Sequence, residues 1–311
     1  MKKVIRASAP ATVANVCCGF DILGFAVHAP SDEVVLTFND SREVTMRSIQ
    51  GDEGRLPMQA DKNTASVAVK SYLNTTGLEA GVEIDLIKNL PLGSGMGSSA
   101  ASAVAALVAI NHHFGNKLTR EELVPHAMEA ERIACGSAHA DNVAPSILGG
   151  VVLVRDYNPL DVIKVTSKAR LFCTLVHPHL ELRTEDSRRV LKPTITLKEA
   201  ITQNGNTAGL IVGLMSGDYA LIGRSLKDVI AEPIRSVFIP GFDGVRAKAK
   251  TVGALGCGIS GSGPTLFALS RDEATARAVG EGMKQHFTSY ALDSDIHISE
   301  INNEGAKILQ G

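Results

Sequence analysis

A glycine- and serine-rich segment directly before an alanine-rich run constrains this chain most. Residues 91–102 read PLGSGMGSSAAS, with glycine at positions 93, 95 and 97, and the apolar run that follows to Ile110 predicts a buried helix. Glycine lets a backbone turn sharply and approach a ligand closely. Amides that converge before a helix N-terminus attract anions, because the unpaired N–H groups and the helix dipole both favour negative charge. The segment predicts a phosphate-binding loop. The alternative is a helix start of small residues that only packs closely on a sheet.

Composition narrows the class of protein. The 311 residues are 44% hydrophobic, which predicts a globular protein with room for two domains. The net charge of −2 gives no basic footprint for nucleic acid. The first six residues are charged and lack an apolar signal region, and the longest apolar run, 103–110, is too short to span a bilayer. The five cysteines form no C-x-x-C pair or disulfide framework. We therefore expect a cytoplasmic protein with no membrane or nucleic-acid partner.

Short apolar strands alternate with helical patterns along the chain, which predicts an α+β fold. In the first half we predict strands over 4–9, 33–38, 44–49, 82–88 and 151–155, and helices over 62–76 (capped by Asp61), 98–113 and 119–134. In the second half we predict strands over 171–177, 264–270 and 295–301, and helices over 197–216, 219–230, 244–253 and 274–287. We place the domain boundary between 160 and 170, giving domains 1–165 and 166–311.

Several catalytic motifs are missing from the sequence. There is no Gly-Lys dipeptide for a Walker-type P-loop, and neither G-x-S-x-G nor H-E-x-x-H occurs. Residues 256–261, GCGISG, match G-x-G-x-x-G. A predicted helix precedes that match and a predicted strand follows it, the reverse of a dinucleotide-binding fingerprint. A Rossmann domain is therefore not expected.

Three polar, glycine-rich signatures remain, far apart in sequence: residues 9–24 (APATVANVCCGFDILG), the segment at 91–102, and residues 256–265 (GCGISGSGPT). Together they resemble the GHMP kinases, a family that acts on galactose, homoserine, mevalonate and phosphomevalonate. The middle signature matches the family pattern P-x-G-x-G-L-G-S-S-A-A with Met96 in the Leu place. The resemblance implies an N-terminal domain like ribosomal protein S5 domain 2 and a C-terminal ferredoxin-like α/β sandwich, with ligands in the cleft between them.

Further segments resemble the branch of the family that phosphorylates homoserine: residues 139–145 (HADNVAP), 184–188 (TEDSR), 232–235 (EPIR) and 239–241 (IPG). The resemblance runs from Arg6 to about Ile301 and implies ATP-dependent phosphorylation of the L-homoserine hydroxyl, a step of threonine biosynthesis. One departure lies at residues 16–19, VCCG, where relatives usually carry LGPG. Two alternatives stay open: a kinase of the same family for another small alcohol, and a non-catalytic ligand-binding protein on the same fold.

The resemblance assigns binding roles residue by residue. ATP binding falls on Pro91, Leu92, Gly93, Ser94, Gly95, Met96, Gly97, Ser98, Ser99, Ala100 and Ala101. Substrate binding falls on Asn15, Asp21, Asn142, Thr184, Arg188 and Arg235. Homoserine carries an ammonium, a carboxylate and a hydroxyl. We therefore expect Asp21 to hold the ammonium, and both arginines to clamp the carboxylate through the bidentate geometry of guanidinium.

The catalytic residues implied by the resemblance are Asn142, Ser99 and Glu131. Ser99, with Ser98 as the alternative, and Glu131 would hold Mg²⁺, a hard cation that binds few protein oxygens. Sugar and mevalonate kinases of the family carry Asp where this chain has Asn142, so we expect transfer without a strong side-chain base. Lys88 either approaches the nucleotide or faces solvent, and His139 is expected to be structural. A homodimer is usual for the relatives.

Overall fold

The computed structural model describes residues 3–136, 138–182 and 184–311. Met1 and Lys2, part of the expectation of no signal region, lie outside these ranges. Before residue 166 the elements are β1 (Val4–Ala14), β2 (Leu23–Asn39), β3 (Val44–Gln50), α1 (Thr64–Thr76), β4 (Gly81–Ile87), α2 (Ser98–His113), α3 (Arg120–Cys135), α4 (Ala140–Leu148), β5 (Val151–Tyr157) and β6 (Leu160–Val165). After it they are β7 (Phe172–Pro178), α5 (Thr184–Arg189), α6 (Leu197–Ser216), α7 (Tyr219–Ser225), α8 (Glu232–Arg235), α9 (Phe242–Val252), β8 (Gly256–Ile259), β9 (Leu266–Ser270), α10 (Glu273–Thr288), β10 (Ser294–Glu300) and β11 (Lys307–Gln310).

The N-terminal part is built on one mixed sheet in the order β11-β1-β2-β4-β3, with β5 pairing β2 and β6 pairing β5. β3 and β4 run parallel, and the other neighbours run antiparallel. Helix α2 lies against β1 and β2, and its alanines at 100, 101, 103, 105, 106 and 109 are fully buried. Small side chains let a helix approach a sheet closely, which explains why the alanine-rich run follows the glycine segment.

The C-terminal part is an antiparallel sheet in the order β10-β7-β9-β8. Helices α9 and α10 cover it and bury Phe242, Met283 and Phe287 in a second hydrophobic core. Residues near the C-terminus link the two parts. Ile301 forms an isolated bridge with Val27, and β11 returns to pair with β1. The predicted α+β class is confirmed. Within the described ranges, no helix has both the length and the apolar character needed to cross a membrane.

Several element predictions were wrong in their details. Helix α1 begins at Thr64 with Asn63 as its N-cap, because the Asn63 side chain accepts the Ala65 amide where Asp61 was expected to cap. Helix α7 ends at Ser225, well before residue 230. Strand β1 continues beyond residue 9 to Ala14, into the first glycine-rich signature. The third signature opens in a strand, β8, and residues 140–148 form a helix.

Candidate active site

One cleft of about 590 Å³ is lined by residues from all three signatures and by residues of both the N-terminal and the C-terminal parts. Of the predicted site residues it is lined by Asn15, Asp21, Leu92, Gly93, Ser94, Gly95, Gly97, Ser98, Ser99, Glu131, Asn142, Thr184, Arg188 and Arg235. Pro91, Met96, Ala100 and Ala101 are not among the lining residues, and the last three are fully buried in the core. Any contact that these three make with a ligand has to come from the backbone.

The glycine loop, residues 91–97, is held by the other two signatures. Gly93, Gly95 and Gly97 have φ values of 63°, 79° and 70°, the left-handed region that side chains with a Cβ rarely adopt. The Ser260 hydroxyl donates to the Gly95 carbonyl at 2.7 Å, and the Thr12 amide donates to the Met96 carbonyl at 3.0 Å. A Cβ on Gly95 would clash with the Ser260 carbonyl oxygen. The loop is therefore fixed by the fold.

A buried ion pair lies beneath the first turn of α2. The Lys88 ammonium contacts Asp32 and also donates to the Ser98 carbonyl at 2.7 Å and the Ser102 hydroxyl at 2.9 Å. The Lys88 and Asp32 side chains are 1% and 0% exposed. The alternative that Lys88 faces solvent was wrong. The Ser98 hydroxyl donates to the Leu90 carbonyl at 3.2 Å, and Ser99 beside it also lines the cleft.

The arginine pocket, formed by Asn15, Asp21, Arg188 and Arg235, lies at one end of the cleft. The Arg188 guanidinium donates to both carboxylate oxygens of Asp21, at 2.8 and 3.1 Å. Arg235 donates to the carbonyl oxygens of Ser187 and Gly261, at 3.2 and 3.1 Å. Both guanidinium groups lie near the Phe20 ring, 5.8 and 5.2 Å from its centroid. The pocket presents two fixed cations and one carboxylate.

The turn after β1 gives this pocket its shape. Asn15, Val16 and Cys17 have φ values of 69°, 42° and 58°, so three successive residues other than glycine are left-handed. Such residues cost of the order of 1–2 kcal/mol each. The Asn15 side chain compensates, because it donates to the Gly261 carbonyl at 2.8 Å and accepts the Asp21 amide at 2.9 Å. The departure at residues 16–19 therefore places strain beside the pocket.

Asn142 lies between the glycine loop and the arginine pocket. Its Oδ1 accepts a hydrogen bond from the Thr12 hydroxyl at 2.7 Å, so its amide nitrogen is the atom left to donate to a ligand. Thr12 was not singled out from the sequence, although it lies within the first signature. It also packs on Gly97, where a Cβ would clash with its hydroxyl.

Two titratable groups of α4 and its N-cap line the cleft beside Asn142. Burial, with the nearby Asp21 and Glu131 carboxylates adding to it, raises the pKa of Asp141 to about 7. Burial lowers the pKa of His139, whose Nδ1 lies 3.7 Å from an Asp21 oxygen. Asp141 is a residue that the sequence reasoning missed. Its position directly before Asn142, in the segment His-Ala-Asp-Asn, could have indicated that it lies near the cleft.

A further part of the cleft lining, called here the outer end, is formed by Arg55, Leu56, Pro57, Lys62 and Asn63. The Asn63 side chain is turned to the backbone, donating to the Pro57 carbonyl at 3.1 Å and capping α1. Leu56 and Pro57 give this end an apolar wall. The outer end therefore combines two apolar side chains with the cations Arg55 and Lys62, and the same cleft is lined by the glycine loop and the arginine pocket.

Comparison with known proteins agrees with the fold. The model of the GHMP kinase N-terminal domain matches residues 63–150, and the model of the GHMP kinase C-terminal domain matches residues 210–289. Homoserine kinases from Chlorobium phaeovibrioides and Chlorobaculum tepidum are each 52% identical over 99% of this chain, covering 100% and 98% of the relatives. The crystal structure of homoserine kinase from Cytophaga hutchinsonii is 54% identical with a TM-score of 0.97, covering 99% of this chain and 98% of that one.

Two GHMP kinase domain models that together cover more than half of the chain, and full-length kinase relatives, define a small-molecule phosphotransferase. The chain belongs to the GHMP kinase family. The resemblance carried by the three signatures is confirmed, as is the predicted two-part fold. Membership of this family makes the chain an enzyme whose phosphoryl donor is ATP.

Proposed function

We propose that this chain transfers the γ-phosphoryl group of ATP to the hydroxyl of L-homoserine, giving O-phospho-L-homoserine in threonine biosynthesis. The observation that carries the proposal is the arginine pocket beside the glycine loop, because it offers a carboxylate and two guanidinium groups to a zwitterion. Full-length similarity to homoserine kinases supports the same substrate. Mevalonate and sugars carry no ammonium, which argues against the other family substrates.

Substrate binding exchanges one ion pair for two. The Asp21–Arg188 pair is about a quarter exposed, at 22% and 27%, so a zwitterion reaches both partners from the cleft. The substrate carboxylate would take Arg188 and Arg235, and its ammonium would take Asp21 with Asp141 beside it. Thr184, whose hydroxyl lies 3.2 Å from that of Ser262, would contact the substrate from α5. Replacing one charge-assisted pair by two favours binding.

The residues near the start of α2 fit Mg²⁺. Ser99 presents a hydroxyl and Glu131, which is only 7% exposed, presents a carboxylate to the cleft. Within the described part of the chain no cluster of three metal-ligating side chains occurs, and Mg²⁺ in kinases typically takes one or two protein oxygens with phosphates and waters. Bound there, Mg²⁺ would supply charge neutralisation for the transferring phosphoryl group.

Positioning and electrostatics account for the catalysis. The amides of the glycine loop and the N-terminus of α2 would bind the phosphates and stabilise the charge that develops during transfer. The Asn142 amide would donate to the substrate hydroxyl oxygen and align it with the γ-phosphate. An amide does not accept a proton as a base, so the hydroxyl proton would leave late, to the phosphate or to water. The adenosine would lie at the outer end, against Leu56 and Pro57.

A homodimer is part of the proposal, and the apolar face of α6 supports it. Leu197, Ile201, Val212 and Met215 are 77%, 63%, 54% and 53% exposed and recur on one side of the helix. A two-fold axis across the middle of α6 would place Leu197 against the partner's Met215 and Ile201 against the partner's Val212. This self-complementary pattern suits an isologous contact between two copies.

The dimer is tested by sedimentation of Ile201→Lys beside Thr202→Lys, an exposed position on another side of α6. We expect a wild-type dimer that Ile201→Lys converts to monomer and Thr202→Lys leaves intact. A wild-type monomer at micromolar concentration would contradict the proposal.

We also propose two domains, a cytoplasmic setting and no nucleic-acid partner. The division into domains 1–165 and 166–311 is supported by the separate sheets on either side of residue 166, while β11 alone crosses back. A cytoplasmic setting is supported by free, buried cysteines such as Cys17 and Cys257. The absence of a nucleic-acid partner is supported by the net charge of −2.

The function is tested by ADP formation with Mg²⁺ and ATP in the presence of L-homoserine, L-serine, mevalonate or galactose. We expect turnover that depends on L-homoserine and falls at least a hundredfold in kcat/KM in Arg235→Ala. Turnover only with mevalonate or galactose would support another GHMP kinase. ATP binding without turnover on any of the four would support the non-catalytic alternative.

A further inference from the structure

The cations on the nucleotide side of the cleft are not equivalent. Among the described residues that line the cleft outside the arginine pocket, they are Arg55, Lys62 and Lys88. Lys88 is buried and bonded to three groups beneath α2, so it does not move toward a ligand without breaking that network. A side-chain cation that turns toward a nucleotide polyphosphate would add to the charge neutralisation supplied by the loop amides and Mg²⁺.

Arg55 reaches across the cleft to Glu181. Its guanidinium donates to a Glu181 carboxylate oxygen at 2.8 Å, and the two side chains are 43% and 52% exposed. An exposed ion pair of this kind is worth little in water, with a median below about 1 kcal/mol. The pair is therefore easily broken by a more highly charged partner.

Glu181 lies directly over the glycine loop. A Cβ on Gly93 would lie 2.7 Å from the Glu181 Cγ, and the amide of the next residue, Leu182, bonds to the Gly93 carbonyl at 3.4 Å. The Glu181 carboxylate thus occupies the approach to amides that attract anions. A polyphosphate bound at those amides would repel it.

The backbone that carries Arg55 is fixed against the loop. The buried Asp52 carboxylate accepts the amides of Gly54 and Leu56 at 3.2 and 3.0 Å, which closes the turn around Arg55. Lys88, at the start of the segment leading to the glycine loop, donates its amide to the Gln50 carbonyl at 2.8 Å. Only the Arg55 side chain has to turn for its guanidinium to leave Glu181.

We propose that Arg55 binds the polyphosphate of the nucleotide. Before ATP binds, Glu181 holds the Arg55 guanidinium over the glycine loop, and the phosphates then displace Glu181 from Arg55. The proposal rests on the proposed function only in requiring ATP in the glycine loop. Arg55 and Glu181 then have opposite effects on ATP affinity. Arg55 attracts the phosphates, while Glu181 competes for Arg55 and repels the phosphates.

The test is calorimetric titration of ATP and of adenosine into wild type, Arg55→Ala and Glu181→Gln, without acceptor substrate. We expect Arg55→Ala to weaken ATP about tenfold, the size of one hydrogen bond to a charged group, and to leave adenosine unchanged. We expect Glu181→Gln to tighten ATP about threefold. Arg42→Ala is the matched control, because Arg42 pairs with Glu79 outside the cleft lining, at 75% and 66% exposure, and should leave ATP affinity unchanged.

Three results would overturn the proposal. If Arg55→Ala and Glu181→Gln both weaken ATP, the pair is a structural strap across the cleft. If Arg55→Ala weakens adenosine as much as ATP, Arg55 serves the base and not the phosphates. If Arg55→Ala binds ATP like wild type, Arg55 has no role in binding. A wild type that binds no ATP would refute the proposed function itself, which is a distinct outcome.

Discussion

Replacing Lys88 separates a structural role from a nucleotide-binding role. Lys88→Met leaves the Asp32 carboxylate fully buried, with the amides of Asn89 and Leu90 at 2.8 and 3.0 Å but no cation. Removing one partner of a buried pair typically costs about 3–5 kcal/mol. Although Lys88 lines the cleft, its side chain is 1% exposed and its ammonium is bound to the Ser98 carbonyl, so ATP affinity should change by less than about twofold, well under 1 kcal/mol.

The assay combines urea denaturation with ATP titration of the folded variant. Lys70→Met is the matched control: Lys70 pairs with Asp61 at 34% and 88% exposure, so its loss should cost at most about 1 kcal/mol. The double variant Lys88→Met/Asp32→Leu should recover part of the lost stability, because no buried charge then remains. Unchanged stability together with a tenfold loss of ATP affinity would refute this reasoning and make Lys88 a nucleotide ligand.

Three further predictions follow from pKa shifts and from the glycine loop. Burial raises the pKa of Glu232 from 4.5 to about 7, so the folded state binds this proton more tightly than the unfolded chain. The free energy of unfolding should therefore fall by up to about 3 kcal/mol as pH rises from about 4.5 to 7. Urea denaturation at each pH should show a flatter pH dependence in Glu232→Gln. The pKa of Asp141 near 7 predicts that kcat/KM for L-homoserine rises from pH 6 to pH 8, because the ionised carboxylate would pair with the substrate ammonium. The same rise in Asp141→Asn would refute this role of Asp141. Gly95→Ala should lower the melting temperature and weaken ATP binding at least tenfold, because a left-handed Ala is strained and its Cβ would clash with the Ser260 carbonyl. Gly54→Ala is the control for backbone strain alone, because Gly54 is also left-handed, at φ 71°, but has open space around its Cβ.

The glycine loop and the helix after it were predictable from the sequence because their cause is local. Glycine at 93, 95 and 97 permits the left-handed backbone, and the alanine run permits close packing of α2. Most of the fold followed from apolar periodicity in the same way. The end of α7 did not, since it depends on how residues 226–231 pack and cap against Asp228.

The arginine pocket was only partly predictable. The resemblance pointed to Asp21, Arg188 and Arg235, and the structure brings them together across 167 residues of chain between Asp21 and Arg188. It did not indicate that Asp21 and Arg188 neutralise each other before substrate binds, because pairing depends on side-chain geometry. Thr12 and Asp141 were not singled out for the same reason: only the fold places the Thr12 hydroxyl on Asn142 and Asp141 in the cleft lining.

The most direct test of the central claim is the phosphorus NMR spectrum of the product formed from ATP and L-homoserine. Transfer to the hydroxyl places phosphorus next to a methylene group, so we expect a new phosphomonoester signal split into a triplet by two equivalent protons and absent when homoserine is omitted. An unsplit signal would contradict the account, since inorganic phosphate would indicate ATP hydrolysis and an acyl phosphate would indicate transfer to the carboxylate.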